Sequence, residues 1–394
     1  MEEEFEIEVV ETTAVSNGAK IKAIGVGGGG GNMINHMINE GVHNIDLIVA
    51  NTDAQALHTS MAPFKMQLGM SATRGLGAGM IPEKGREAAL ESFEDIKSIL
   101  EGSDIVFISA GLGGGTGTGA APIIAQAAKE IGALTVTIAT TPFKFEGRKR
   151  AKLAREGLDE LKRESDCIIV VPNEKLLAVV EKNLGIKESF KLVDDVLSQA
   201  VGGISNVILS HGENDINLDF ADVKTIMSHR GLALMGVGYS SGTNAAYDAT
   251  KAAIESPLLD NISIDGAMGV LVHFDIHPDY PILEISEAMD IVEENADEDA
   301  NVIFGTTTNP DMEIDEVKIT IIATGFEDKS ILAAPTDKET SKPLTTASIL
   351  NAGNTNSSVN PMPPRAIRRQ VVGGDYGGHE DILDVPTFLR KQMD

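Results

Sequence analysis

From Lys20 onward, apolar runs of strand length alternate with stretches that repeat apolar positions at helical spacing. IKAIGVG, IDLIVANTD, DIVFISAG, LTVTIATTP and CIIVVPN read as strands, and the segments between them read as helices. One of these, MIPEKGREAALESFEDIKSILEG, is predicted as a single helix, with Pro82 suited to its first turn. Strand–helix alternation with short loops implies a parallel sheet covered on both faces. A longer helix is predicted over 187–210, where Phe190, Val193, Leu197, Ala200, Val201, Ile204 and Ile208 recur at helical spacing. Beyond it, AMGVLVHFDI and EVKITIIATGF predict strands around the helix-like PILEISEAMDIVEENAD.

The pattern therefore predicts an α/β chain in six parts. A mobile acidic extension covers 1–19, a Rossmann-type parallel-sheet domain 20–186, a central helix 187–210, and a second, α+β domain 211–326. Over 327–378 Pro, Ser, Thr, Asn and Gly dominate and the periodicity disappears, which predicts a disordered linker. Residues 379–394 regain Ile382, Leu383, Val385, Phe388 and Leu389 around Pro386, as expected of a tethered peptide that docks on a partner.

Composition narrows the function. A net charge of -27 argues against sequence-independent nucleic-acid binding and would repel an anionic membrane surface. No run approaches the ~18 apolar residues of a membrane span. The single cysteine, Cys167, fits a reducing cytoplasm and reads as a buried structural thiol within CIIVVP. MEEEFEIEVVETT lacks the basic-then-apolar pattern of a secretion signal, so a cytoplasmic location is expected.

Candidate chemistry sits in two glycine loops. GVGGGGGNMINHM follows the first strand and opens a helix; alone it suggests a dinucleotide site, with Asp53 where a ribose-binding acid would stand. Five consecutive glycines are destabilising unless something must approach the backbone closely. The second loop, SAGLGGGTGTGAAP, places six glycines between Gly111 and Gly119 in the same strand-to-helix setting. Two such loops on neighbouring strands would flank one crevice and present helix N-termini to several negative charges. Thr116 and Thr118 add hydroxyls for phosphate oxygens or a hydrated Mg²⁺. The expected ligand is a nucleoside polyphosphate held largely by backbone. RGLGAGMIP, from Arg74 to Pro82, is a third glycine turn, suited to a terminal phosphate. Glu146 would serve a ribose hydroxyl, and Arg150 phosphate or ring contacts. Phe190 and Asp194, four apart on the long helix, could stack on and hydrogen-bond a guanine edge, with Asp195 the competing acid.

With GVGGGGGN, NTDAQAL, GLGAG, GGGTGTG, FEGRKR, VPNEKL and NLDFADV in this order, the chain resembles the tubulin/FtsZ GTPase family, on its bacterial cell-division side. The resemblance covers about Ile21 to Phe326, and DILDVPTFLRKQ resembles that family's partner-binding tail. It implies a tubulin-like fold and assigns GTP binding to Gly28, Gly29, Gly30, Gly31, Asn32, Gly115, Thr116, Gly117, Glu146, Arg150 and Asp194. Asn173 and Phe190 would line the base pocket. It also implies GTP and GDP as substrate and product, Mg²⁺ as cofactor, and a midcell division ring. Division proteins, including membrane tethers, would bind through Asp381–Gln392.

NLDFADV would be the loop that completes hydrolysis, with Asn217, Asp219 and Asp222. Local structure also predicts Asp219 as the N-cap of the following helix. A helix over 187–210 spans roughly 35 Å, so with Phe190 at the base these acids cannot reach their own chain's phosphates. Head-to-tail stacking would bring them to the next copy, a contact that extends into a filament. A nucleotide-dependent dehydrogenase using the first loop alone, and a nucleotide-bound scaffold without turnover, are the rival readings.

HFDIHPDY alternates His273, Asp275, His277 and Asp279 with Val272, Phe274 and Ile276, which an ordinary half-buried strand explains. No metal-ligating set of side chains is assigned.

Overall fold

The computed structural model describes residues 18–42, 44–176, 185–209, 216, 218–229, 231–256, 259, 264 and 266–326, without the side chains of 186 and 187. Nearly all of the acidic extension, the linker, the tail peptide with Asp381–Gln392, and Asn217 lie outside the described residues. The first half runs β1 (Ile21–Val26), α1 (Gly27–Asn39), β2 (Asp46–Asn51), α2 (Ala54–Thr59), β3 (Phe64–Gln67), α3 (Met70–Thr73), α4 (Pro82–Glu91), α5 (Phe93–Leu100), β4 (Ile105–Gly111) and α6 (Thr116–Glu130). It continues through β5 (Leu134–Thr141), α7 (Arg148–Glu164), β6 (Cys167–Pro172) and α8 (Asn173–Leu176). The long α9 (Ile186–Leu209) leads to α10 (Phe220–Met227), β7 (Leu232–Ser241), α11 (Ala245–Ile254), β8 (Gly269–Ile276), α12 (Ile282–Asn295), β9 (Asn301–Thr308) and β10 (Glu316–Phe326).

These strands join one sheet in the order β3-β2-β1-β4-β5-β6-β7-β10-β8-β9. From β3 to β6 every pairing is parallel, with Ile24 of β1 opposite both Ile48 of β2 and Ile108 of β4. Strand order reverses between β1 and β4, which opens a crevice at their carboxyl ends. Only Ile168–Leu232 and Ile169–Ala233 register β6 on β7, so a short parallel join carries the sheet into its second half. There β10 lies antiparallel between β7 and β8.

Helix α9 is where the two halves share a core. Val193, Leu197, Ala200, Val201, Ile204 and Ile208 are buried with Met33, Ile34 and Met37 of α1 and with Leu271 of β8 and Ile322 of β10. Its Glu188–Leu209 stretch, at mean hydropathy 1.3, is apolar and long enough to cross a membrane, yet most of it is buried in this core.

The sequence reading differs from the fold in one helix and three strands. The helix expected over 80–102 breaks at Ser92, whose buried hydroxyl accepts the Gly69 N–H at 3.1 Å and ends α4 before α5 begins. Strands β3, β7 and β9 were not anticipated. In β7 the obscuring residues are Gly236 and Gly238, where a Cβ would lie 2.1 and 1.8 Å from carbonyl oxygens of α11. The glycines let that helix lie directly on the strand, at the expense of strand propensity. His273 lies in β8, as the half-buried strand pattern predicts, and is buried and bonded to Thr307 at 2.9 Å. Among the described residues no three His, Cys, Asp or Glu side chains gather at metal-binding range.

Replacing Ile204, fully buried in α9, with Ala should cost about 2–5 kcal/mol of stability. Denaturant unfolding of the Ile204→Ala chain checks this; a loss below about 1 kcal/mol would mean α9 is not clamped between the two halves.

Candidate functional site

At the carboxyl ends of the parallel strands lies a cavity of about 560 Å³. Its floor is built by α1, which starts directly from β1, and α6, which follows β4 after residues 112–115. Neither helix has a side-chain cap or an acidic residue in its first turn. Among the described residues their first N–H groups therefore have no intrahelical or side-chain capping partner, and both positive dipole ends face the same space. That arrangement attracts an anion with several charges.

Glycine makes the approach possible. A Cβ on Gly30 would sit 2.2 Å from the Ser109 carbonyl oxygen, and one on Gly117 would sit 2.5 Å from that of Gly111. Gly27, at φ +71, would place a Cβ 2.9 Å from the Gly117 nitrogen. The two loops are thus packed backbone on backbone. Gly28 and Gly114, by contrast, line the cavity and would point a Cβ into open space.

Most of the sequence-predicted binding residues meet here. Gly28, Gly29, Asn32, Gly115, Thr116, Gly117, Glu146, Arg150, Asn173, Phe190 and Asp194 all line the cavity. Gly30 and Gly31 do not: they are buried, Gly30 against the β4 backbone and Gly31 near Val49, and let α1 pack on the sheet. Thr118 is also turned away. Its buried Oγ1 accepts the Gly113 N–H at 2.9 Å and pins the loop, leaving Thr116 as the hydroxyl of that pair at the cavity. From the third glycine turn, Leu76, Gly77, Ala78 and Gly79 form part of the wall.

Several polar side chains arrive from the segments that follow the strands. Asp53, just past β2, caps α2 by accepting the N–H groups of Gln55 and Ala56, a structural duty besides its place in the wall. Glu146 accepts the Phe143 N–H at 2.9 Å and pairs with Arg150, which fixes both at the rim. Asn173, at the start of α8, is 5% exposed and its Oδ1 has no hydrogen-bond partner among the described residues. A buried acceptor left without a donor costs roughly 1–3 kcal/mol, which a ligand N–H or O–H would recover. Phe190 stands edge-on to Phe143, with ring centroids 5.4 Å apart, and is 40% exposed.

The choice between the two adjacent acids is decided by helix rotation. Asp194 lines the cavity, and burial, then the neighbouring Asp195 charge, push its carboxyl up to about 7. Asp195 points to the other side, where it meets His36 Nε2 at 2.7 Å. Sequence reasoning missed Val193 and Leu197 as cavity residues, although i, i+3 and i+7 spacing from Phe190 puts them on its helix face. Asn51, the last residue of β2, and Thr140, next to last in β5, were missed as well.

Asp219 and Asp222 are elsewhere. A Cβ at Gly305 would fall 3.6 Å from Val207 and 3.7 Å from Leu218, so the loop before α10 lies level with Val207. At ~1.5 Å per residue that is about 26 Å along α9 from Phe190. Asp219 caps α10 through the Ala221 N–H at 3.2 Å, and both acids are exposed. Cys167 is buried, and burial pushes its thiol up to about 12, which excludes a thiolate nucleophile there. A larger hollow of about 650 Å³, beside Lys20, Asp46 and Glu101, is walled by strand starts rather than helix N-termini.

Two uncapped helix N-termini on adjacent parallel strands, with a long helix along one wall, define a nucleotide-binding fold of tubulin type. Residues 20–181 match the Tubulin/FtsZ family GTPase domain, and residues 231–327 match the FtsZ family C-terminal domain. The empty FtsZ dimer of M. jannaschii is 45% identical over 78% of this chain and 88% of its own, with a TM-score of 0.74. A point mutant of FtsZ from the same organism is 44% identical over 78% and 92%, also at 0.74. The GDP-bound CetZ1 monomer of Haloferax volcanii, 19% identical over 78% and 95% at a TM-score of 0.69, shares the fold. The chain belongs to the tubulin/FtsZ family and is an FtsZ-type GTPase, with GTP and GDP as its nucleotides.

Gly28→Ala and Gly114→Ala should fold with stability within about 0.5 kcal/mol of the parent, yet each should weaken guanine-nucleotide binding about tenfold. Gly119→Ala should instead lose roughly 1–3 kcal/mol, because its Cβ would lie 1.9 Å from the Pro82 oxygen. Thermal melts and nucleotide titration separate the two classes. Unchanged affinity in both cavity variants would show that the ligand does not approach this backbone.

Proposed function

We propose that this GTPase assembles head to tail into filaments, and that each nucleotide site is completed by the acidic loop of the next copy. The observation that carries this is the separation of about 26 Å along α9 between the cavity and the Asp219–Asp222 loop. A single chain has the nucleotide cradle and the acids, but at opposite ends of a rigid spacer. The exposed apolar side chains Leu76, Met80 and Ile81 beside the cavity support a contact there. The similar M. jannaschii FtsZ was solved as a dimer.

In this reading the first-turn N–H groups of α1 and α6 bind the phosphates and stabilise charge that builds on the transferred phosphoryl oxygens. Phe190 stacks on the base, ionised Asp194 accepts its N–H groups, and Asn173 Oδ1 takes a further donor. Glu146 and Arg150 hold the sugar and phosphate rim. Asp219 and Asp222 of the adjoining copy, with Asn217, orient the attacking water. The Thr116 hydroxyl and Asp53 carboxylate at the wall are oxygen donors that suit Mg²⁺, which when bound would offset phosphate charge. The filament would form the cell-division ring at midcell, with Asp381–Gln392 as the docking peptide for membrane-tethering and regulatory partners.

GTPase activity per chain should rise steeply with protein concentration, in step with light scattering. Asp222→Ala should lower turnover at least about 100-fold while leaving the nucleotide Kd within about twofold. Mixing it with a Gly114→Phe chain, whose own cavity is blocked, should restore turnover at joints between an intact cavity and an intact acidic loop. Turnover independent of concentration, or no recovery at any mixing ratio, would sink the shared site.

The pH dependence follows from Asp194. Above pH 7 its carboxylate is already ionised and binding carries no proton cost. Below about 7 a proton must leave on binding, so affinity should fall by up to tenfold per pH unit. Nucleotide titration between pH 5.5 and 8.5 tests this, and Asp194→Asn should flatten the profile and weaken binding at pH 8. A wild-type profile already flat across pH 7 would remove Asp194 from the base contact.

A further inference from the structure

Thr52, one residue past the end of β2, has a side chain with no solvent exposure. Its Oγ1 lies 2.7 Å from the Oγ1 of Thr116, the first residue of α6, and either hydroxyl can donate. Thr116 is the half-buried member of the pair and faces the cavity. The Thr52 carbonyl accepts the Gly77 N–H at 3.2 Å and the Thr73 hydroxyl at 3.3 Å. Thr52 therefore joins the strand β2 end, the α6 N-terminus and the third glycine turn at one buried point.

We infer that Thr52 is a positioning residue that sets the direction of the Thr116 hydroxyl toward an oxygen of the nucleotide's terminal phosphate and ties the 74–79 turn to that contact. The inference rests on the nucleotide reading of the cavity. Two facing hydroxyls share one proton between them. When an anionic oxygen occupies the cavity beside Thr116, the Thr116 proton turns to it, and Thr52 must then donate to Thr116. The buried Thr52 hydroxyl has Thr116 Oγ1 as its hydrogen-bond partner among the described residues, so this direction satisfies both groups. A chain of two aligned O–H donors polarises and strengthens the outer bond. Without that oxygen the outer proton can turn back toward Thr52, and nothing is gained. The device thus discriminates a ligand that carries the terminal phosphate from one that lacks it.

The test compares a non-hydrolysable GTP analogue with GDP in equilibrium titrations of the full chain. Thr52→Val keeps the branched shape and removes the hydroxyl; it should weaken the GTP analogue about five- to tenfold and change GDP less than twofold. Thr52→Ser keeps a hydroxyl and should return the GTP-analogue affinity to within twofold of wild type. Thr116→Val should lose about tenfold, and the Thr52→Val, Thr116→Val double variant should lose no more than Thr116→Val alone. If Thr52→Val proves unstable in thermal melts, Thr52→Ala enters the same series. Equal losses for both nucleotides, no loss in either, or multiplicative losses in the double variant each overturn the role of Thr52. Failure of the wild-type chain to bind either nucleotide overturns the underlying reading instead.

Discussion

The feature on which everything else depends is the backbone-on-backbone packing of two glycine loops. Gly27 and Gly29 press against the β4–α6 connection, and Gly30 leaves room for no more than hydrogen between α1 and the Ser109 carbonyl. Side chains at these points would push α1 and α6 apart by a substantial fraction of a helix radius. The two N-termini would then cease to share one space, and two weak anion sites would replace one strong one. Glycine is costly to order, and that cost is justified only where backbone must touch backbone or ligand. Gly28 and Gly114 are the loop positions that stay open to the cavity.

Helix α9 converts this cradle into half of a larger arrangement. One face is buried against α1 and both halves of the sheet, so the helix is a rigid spacer rather than a linker. Its successive residues point in directions about 100° apart, which sends Asp194 into the cavity and Asp195 to His36. The burial around the cavity also raises the carboxyl of the half-buried Asp194. At the far end the same helix carries the chain to the exposed Asp219 and Asp222. Separation of the cavity and the acidic loop is therefore a consequence of helix length and core packing, and it is what the proposed head-to-tail contact would reunite.

Much of this was legible in the residues because it is local. Five of the six strands of the first half, the long helix within one residue at each end, and both glycine loops follow from patterns a few residues wide. So does Asp219 as a helix cap. What escaped notice depends on partners distant in the chain. Strand β7 was hidden because its glycines answer to α11, and the α4–α5 break because Ser92 answers to Gly69. Thr118 and Gly30 belong to motifs whose neighbours line the cavity, yet they face the core.

The sequence by itself determined that two strand-to-helix glycine loops exist, that a polyphosphate suits them, and that the acidic loop stands a long helix away. Only the tertiary structure decided which loop residues open to the ligand, which of two adjacent acids enters the cavity, and that Thr52 touches Thr116. The reason is geometric: periodicity specifies an element and its apolar stripe, but the partner of a single side chain is chosen by packing among segments sixty or more residues apart, as between Thr52 and Thr116.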